Sequence, residues 1–123
     1  MKTETTKEKT KEKTKEKTGI AARYDYMGPF YEGIARVKLE KKWGFVDTTG
    51  NVIVPPRYNA VGNFSNGIAQ IRSGTLWGLV DKTGRVIIKP TFDAIFEFVD
   101  GKAKVLLNGK NFYMNREGQR VDK

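Results

Sequence analysis

Trp43-Gly44-Phe45-Val46-Asp47-Thr48-Thr49-Gly50-Asn51-Val52-Ile53-Val54 returns, 34 residues later, as Trp77-Gly78-Leu79-Val80-Asp81-Lys82-Thr83-Gly84-Arg85-Val86-Ile87-Ile88. The first copy reads as a β-hairpin. Trp43 and Phe45 fall on one side of an extended segment and Val46 on the other, which is the period of two that a strand imposes. In Asp47-Thr48-Thr49-Gly50 a short carboxylate can accept from nearby backbone amides while the glycine turns left-handed, so these residues predict a turn. Val52, Ile53 and Val54 resume the extended run. Pro55-Pro56 supplies no amide donors and is expected to end the ladder there. Gly44 is expected to let a neighbouring backbone or ring approach beside the indole, and Gly78 repeats it.

Outward from this stretch the register holds without insertion or deletion. Tyr24, Tyr58 and Phe92 correspond, as do Phe30, Phe64 and Phe98, then Gly33, Gly67 and Gly101, and the turn glycines Gly50, Gly84 and Gly118. The units fall at about 24–57, 58–91 and 92–123, within a β domain spanning 19–123. A unit of this size cannot shelter its own apolar face and must lean on a neighbour. The expected fold is therefore all-β: three 34-residue units of antiparallel strands in a stacked array, open or closed. Ile20-Ala21-Ala22-Arg23 aligns with Val54-Pro55-Pro56-Arg57, the end of a unit, whereas Gln119-Arg120-Val121 begins that same strand. The match predicts that an Ile20 strand packs beside the last unit and closes the array. The third unit has Asn111-Phe112 for Trp-Gly and Asn115 for the turn Asp, as terminal repeats, lacking an outer neighbour, commonly depart from pattern.

Residues 1–18 hold seven Lys and four Glu, with no apolar side chain after Met1. Nothing there can offset the entropy of ordering, and Glu8, Glu12 and Glu16 would repel one another in a helix, so a disordered or transiently helical basic tail is expected.

The phrases Phe30-Tyr31-Glu32-Gly33-Ile34-Ala35, Trp43-Gly44-Phe45-Val46-Asp47-Thr48-Thr49-Gly50 and Val54-Pro55-Pro56-Arg57-Tyr58, repeated as Phe64-Ser65-Asn66-Gly67-Ile68-Ala69 and Trp77-Gly78-Leu79-Val80-Asp81, resemble the bacterial WG repeat, also called the KWG repeat. The resemblance covers about residues 20–123. It implies an all-β repeat module, often joined to other domains as an interaction surface, with Trp43, Gly44, Asp47, Gly50, Trp77, Gly78, Asp81 and Gly84 as its signature.

The chain has no His and no Cys, so Ser-His-Asp and Cys-His arrangements and the usual zinc sites are excluded. Ser65 and Ser73 are the only serines, neither in a nucleophile elbow, and no phosphate-binding loop can be matched. Asp47-Thr48-Thr49-Gly50 is one residue longer than the Asp-Thr-Gly of aspartic proteases, and a turn accounts for Asp47 and Asp81 together. No enzymatic activity, cofactor or metal is expected. Trp43 and Trp77 are expected in the core.

The net charge is +9, basic in both the first 18 residues and the remainder. This balance favours acidic partners. Arg36, Lys38, Arg72 and Lys104 alternate with inward Ala35, Val37, Ala69, Ile71, Ala103 and Val105, and with Lys42 and Lys110 they form the candidate partner-binding stripe. The expected role is binding of a protein partner through this basic face. The alternative is nucleic-acid binding through the same stripe and the tail. No stretch approaches eighteen consecutive apolar residues and no apolar leader opens the sequence, so no membrane contact and a cytoplasmic location are expected.

Overall fold

The computed structural model describes residues 19–121. The basic tail of residues 1–18 lies outside them. The described chain forms three four-stranded antiparallel sheets, each a meander. The first joins β1 (Tyr26–Tyr31), β2 (Ile34–Leu39), β3 (Lys42–Asp47) and β4 (Val52–Tyr58). The second joins β5 (Ala60–Val61), β6 (Ile68–Ser73), β7 (Leu76–Asp81) and β8 (Val86–Phe92). The third joins β9 (Ala94–Ile95), β10 (Lys102–Leu107), β11 (Lys110–Asn115) and β12 (Arg120–Val121).

Local chemistry sets these elements. Before β2, β6 and β10 the chain turns through Glu32-Gly33, Asn66-Gly67 and Asp100-Gly101, with φ of 54° and 81°, 53° and 83°, and 54° and 80°. Two consecutive left-handed residues match the right-handed twist of the flanking strands. The turn after β3 forms as its sequence predicts: Asp47 Oδ1 accepts from the amides of Thr49 (2.9 Å) and Asn51 (3.0 Å), and Gly50 N donates to Asp47 O at 3.0 Å. Asp81 repeats the pattern toward Thr83 and Arg85.

The prolines do not end β4, contrary to the sequence expectation. Trp43 pairs with Tyr58 and Phe45 with Val54, so Pro55-Pro56-Arg57 forms a bulge opposite the single residue Gly44. A bulge takes residues out of the ladder, where a missing amide costs nothing. It is possible because Gly44 has no Cβ: a carbon placed there would lie 2.7 Å from both Pro55 C and Pro56 N. Gly78 stands in the same relation to Lys89 C and Pro90 N, at 2.8 Å.

The sheets stack face to face. Phe45, Ile34, Val54 and Tyr58 of the first pack with Val61, Phe64, Ala69, Ile71 and Val80 of the second. Ile68 and Leu79 of the second pack with Phe92, Ile95, Ala103, Val105 and Met114 of the second and third. Both faces of the middle sheet are thus buried, and the core lies in the seams between units. The Glu32 carboxylate ties the first seam, accepting from the amides of Asn66 (2.6 Å) and Gly67 (2.9 Å) in the next unit.

The predicted closure does not form. Gly19–Arg23 is a 3-10 turn, not a strand, and Ile20 packs with Tyr24, Ala35, Val37 and Val46 of the first unit. It covers the outer face of the first sheet, with Ile20 Cγ1 3.0 Å from where a Gly50 Cβ would stand. The array is open: within the described residues β12 pairs only with β11. Phe112 stands where the first two units have the glycine, and among the described residues β12 pairs with β11 only at Tyr113 and Met114.

Candidate functional site

Among the described residues both faces of the first two sheets meet neighbours over part of their area, so the basic residues do not form one continuous outer stripe as the alternation predicts. Ile34, Arg36 and Lys38 share a face with Trp43 and Phe45. At the Ile34 end this face is sealed against the next unit, and at the Lys38 end it opens as the mouth of the seam.

Trp43 stands at that mouth, half-buried rather than in the core where it was expected. Across the strands it lies opposite Lys38 on one side and Tyr58 on the other, and it packs against the edge of the first seam's core, so its ring meets a cation as well as apolar neighbours. Arg36 Cζ lies 5.2 Å and Lys38 Nζ 5.5 Å from the ring centroid, and Tyr26 meets the ring edge-on at 5.6 Å. Arg36 Nε is buried without a hydrogen-bond partner. The second unit repeats the Lys38 contact with Arg72 and has Gln70 in the place of Arg36. Arg72, opposite Trp77 across the strands, holds its Cζ 5.7 Å from that ring, and Trp77 is again half-buried. Desolvated cation–aromatic pairs of this kind stabilise by about 1–2 kcal/mol and hold the cation in place.

The third unit lacks the Trp and uses other pairs. Arg120 Cζ lies 4.4 Å over Phe112, and Lys102 Nζ 6.0 Å over Tyr113. Lys104 sits opposite Tyr113 and is exposed. Lys42 and Lys110 open β3 and β11, opposite Leu39 and Leu107, and point into solvent away from the rings. Of the six stripe cations, the structure therefore gathers Arg36, Lys38 and Arg72 onto tryptophans and leaves Lys42, Lys104 and Lys110 dispersed. Tyr26, Lys102 and Arg120 belong to the same pattern and were not singled out from sequence; Lys102 stands opposite Asn115 and reaches the Tyr113 ring diagonally.

The signature carboxylates serve the turns. Gly67 N–H and then Asn66 N–H, with nearby Lys82 and Arg116, hold Glu32 below its ordinary value of 4.5 against the cost of burial. The Thr49 hydroxyl, with the amides of Asn51 and Thr49, holds Asp47 below 3.8. For Asp81 burial pushes the value up, but the Thr83 hydroxyl and the Thr83 and Arg85 amides outweigh it, and the net direction is down from 3.8. Lowered folded values give stability that is present above the unfolded pKa and lost as pH falls through the folded one. The thermal midpoint is thus expected to be flat above about pH 5 and to fall below about pH 4. Glu32→Gln should shrink that fall; an acid limb identical to that of the native chain would contradict the role given to Glu32.

A family model described as a WG containing repeat matches three stretches of the chain, residues 13–43, 43–74 and 77–110. Neither the curated proteins nor the solved structures searched gave a match.

Proposed function

The chain belongs to the WG containing repeat family, and from that premise we propose that it is a non-enzymatic interaction module binding an acidic segment of a protein partner at the mouths of its seams. The observation that carries this reading is the recurrence of a cation over a half-buried indole at equivalent places in consecutive units, Lys38 on Trp43 and Arg72 on Trp77, with the Arg36 guanidinium added on Trp43 in the first. A guanidinium stacked on an indole is already ordered but keeps in-plane N–H donors for a carboxylate, so less entropy is lost when one arrives. The dispersed Lys42, Lys104 and Lys110 add to the field that draws an acidic chain in.

Nucleic-acid binding is the second reading, supported by the same pairs, since a half-exposed indole beside Arg can also stack on a base. Among the described residues no helix is long and apolar enough to cross a membrane.

Labelled oligoglutamate and a labelled single-stranded oligonucleotide, titrated at low and moderate salt, separate the two. The native chain is expected to bind the peptide, and Arg36→Gln, Lys38→Gln and Arg72→Gln together to weaken it by at least about tenfold. The frame should accept the change at Arg36, because Gln70 holds that place in the second unit. Unaltered peptide binding by the folded triple variant would sink the reading; binding of the oligonucleotide alone would favour the second.

A further inference from the structure

The stack contains two seams built from equivalent positions, and the second is the less filled. In the first, the Phe45 ring meets Phe64 edge-on at 4.8 Å, and Arg36 lies beside it. The corresponding residues of the second seam are Leu79 and Gln70, an isobutyl group for a benzyl and an amide for a guanidinium. A cavity of about 440 Å³ opens there, between the Ile68–Leu79 face of the second sheet and the Phe96–Phe98 segment of the third. That volume lies in the range of about 300–1,000 Å³ common to small-molecule sites.

We propose that this cavity binds a small arylalkylammonium compound, an aromatic ring carrying a protonated amine on a short chain. The ring is specified by what the second seam lacks: Leu79 stops short of where Phe45 reaches, and Phe98, the counterpart of Phe64, is left to meet an incoming ring edge-on. The charge is specified by the lining. In a chain of net charge +9, Glu97 is the only charged residue among those lining the cavity. Gln70 commits its Nε2 to Ile95 O at 2.9 Å, so the amide offers a ligand its carbonyl oxygen, an acceptor. The lining also holds Asn63, Ser65 and Asn66, which can donate or accept, so the one formal charge, on Glu97, is what favours a donor-bearing cation over an anion of the same shape. Trp77 lines this cavity and also carries Arg72, so the site adjoins the second-unit part of the acidic-segment surface, but the proposal does not rest on that reading.

Calorimetric titration of the full chain with phenethylamine tests the proposal, with 3-phenylpropionate as the ligand of like ring and opposite charge. Saturable binding of the amine at one site is expected, with the acid at least about tenfold weaker. Leu79→Phe, which rebuilds the ring of the first seam, should abolish amine binding and leave oligoglutamate binding intact. Should that variant fail to fold, Glu97→Gln, at an exposed position, should fold normally and bring the two ligands to within about threefold of each other. No saturable amine binding at millimolar concentration, equal binding of acid and amine by the native chain, or an unchanged preference in Glu97→Gln would overturn it.

Discussion

Gly44→Ala is expected to cost at least about 3 kcal/mol, the upper end of what overpacking does in a well-filled interior. The added carbon would be driven into the Val54 carbonyl and to 2.7 Å from Pro55 C and Pro56 N, all of them backbone atoms that cannot rotate aside. A domain of this size has about 5–15 kcal/mol in total, so Gly44→Ala combined with Gly78→Ala should leave little folded protein at room temperature. Urea unfolding monitored by circular dichroism gives the measure, the midpoint falling while the slope is kept. Gly62→Ala is the control. A carbon there meets nothing nearer than 3.9 Å, and the change should stay within about 0.5 kcal/mol. Equal tolerance of alanine at Gly44 and Gly62 would contradict the bulge as the reason for the glycine.

The second large effect separates two neighbouring aromatics. Phe45 is fully buried, locked edge-on against Phe64 in the seam between units. Phe45→Ala should therefore cost about 3–5 kcal/mol through lost burial and the cavity left behind. Trp43, the larger residue and the more conspicuous in the sequence, is half-buried at the mouth, and Trp43→Ala should cost only about 1–2 kcal/mol. Denaturant midpoints of the two variants give the comparison. A Trp43→Ala chain that unfolds before Phe45→Ala would place the indole in the core after all.

What the sequence made legible was whatever rested on local chemistry repeated in register. The Asp47 and Asp81 turns, the inward Ala35, Val37, Ala69 and Ile71, and the reliance of each unit on its neighbours all follow from residue type and spacing. The errors arose where tertiary context decided. Pro55-Pro56 reads as a stop because proline lacks a donor, and only the missing Cβ of Gly44, across the ladder, turns the stop into a bulge. Ile20 aligns with Val54, but among the described residues it lies in a 3-10 turn that caps the first sheet. Trp43 reads as core by size, yet one of its two strand partners is Lys38, and the indole packs against the core from the mouth, half-buried.

Some signals were present but unread. Asp25, Asn59 and Asp93 recur every 34 residues and accept from the amides of Glu40 (2.8 Å), Gly74 (2.6 Å) and Asn108 (3.0 Å), closing the β2–β3, β6–β7 and β10–β11 turns. Lys102 and Tyr113 replace Ile34 and Phe45, and Ile68 and Leu79, on the one stacking face that no further described unit covers. The third unit is therefore adapted on its face as well as at the missing Trp-Gly pair. The looser second seam was also readable, from Leu79 against Phe45 and Gln70 against Arg36, once the faces were known.

The claim on which the rest depends is that successive units are joined through turn-on-strand and ring-on-ring contacts between sheets, and proton–proton Overhauser contacts in the folded chain report on it directly. Cross-peaks are expected between the Phe45 and Phe64 rings, and between the Ile88 methyls and the Gly118 α-protons, where a Gly118 Cβ would stand 2.8 Å from Ile88 Cγ1. A well-dispersed spectrum with intact cross-strand contacts inside each sheet but neither of these between sheets would contradict the stacked arrangement.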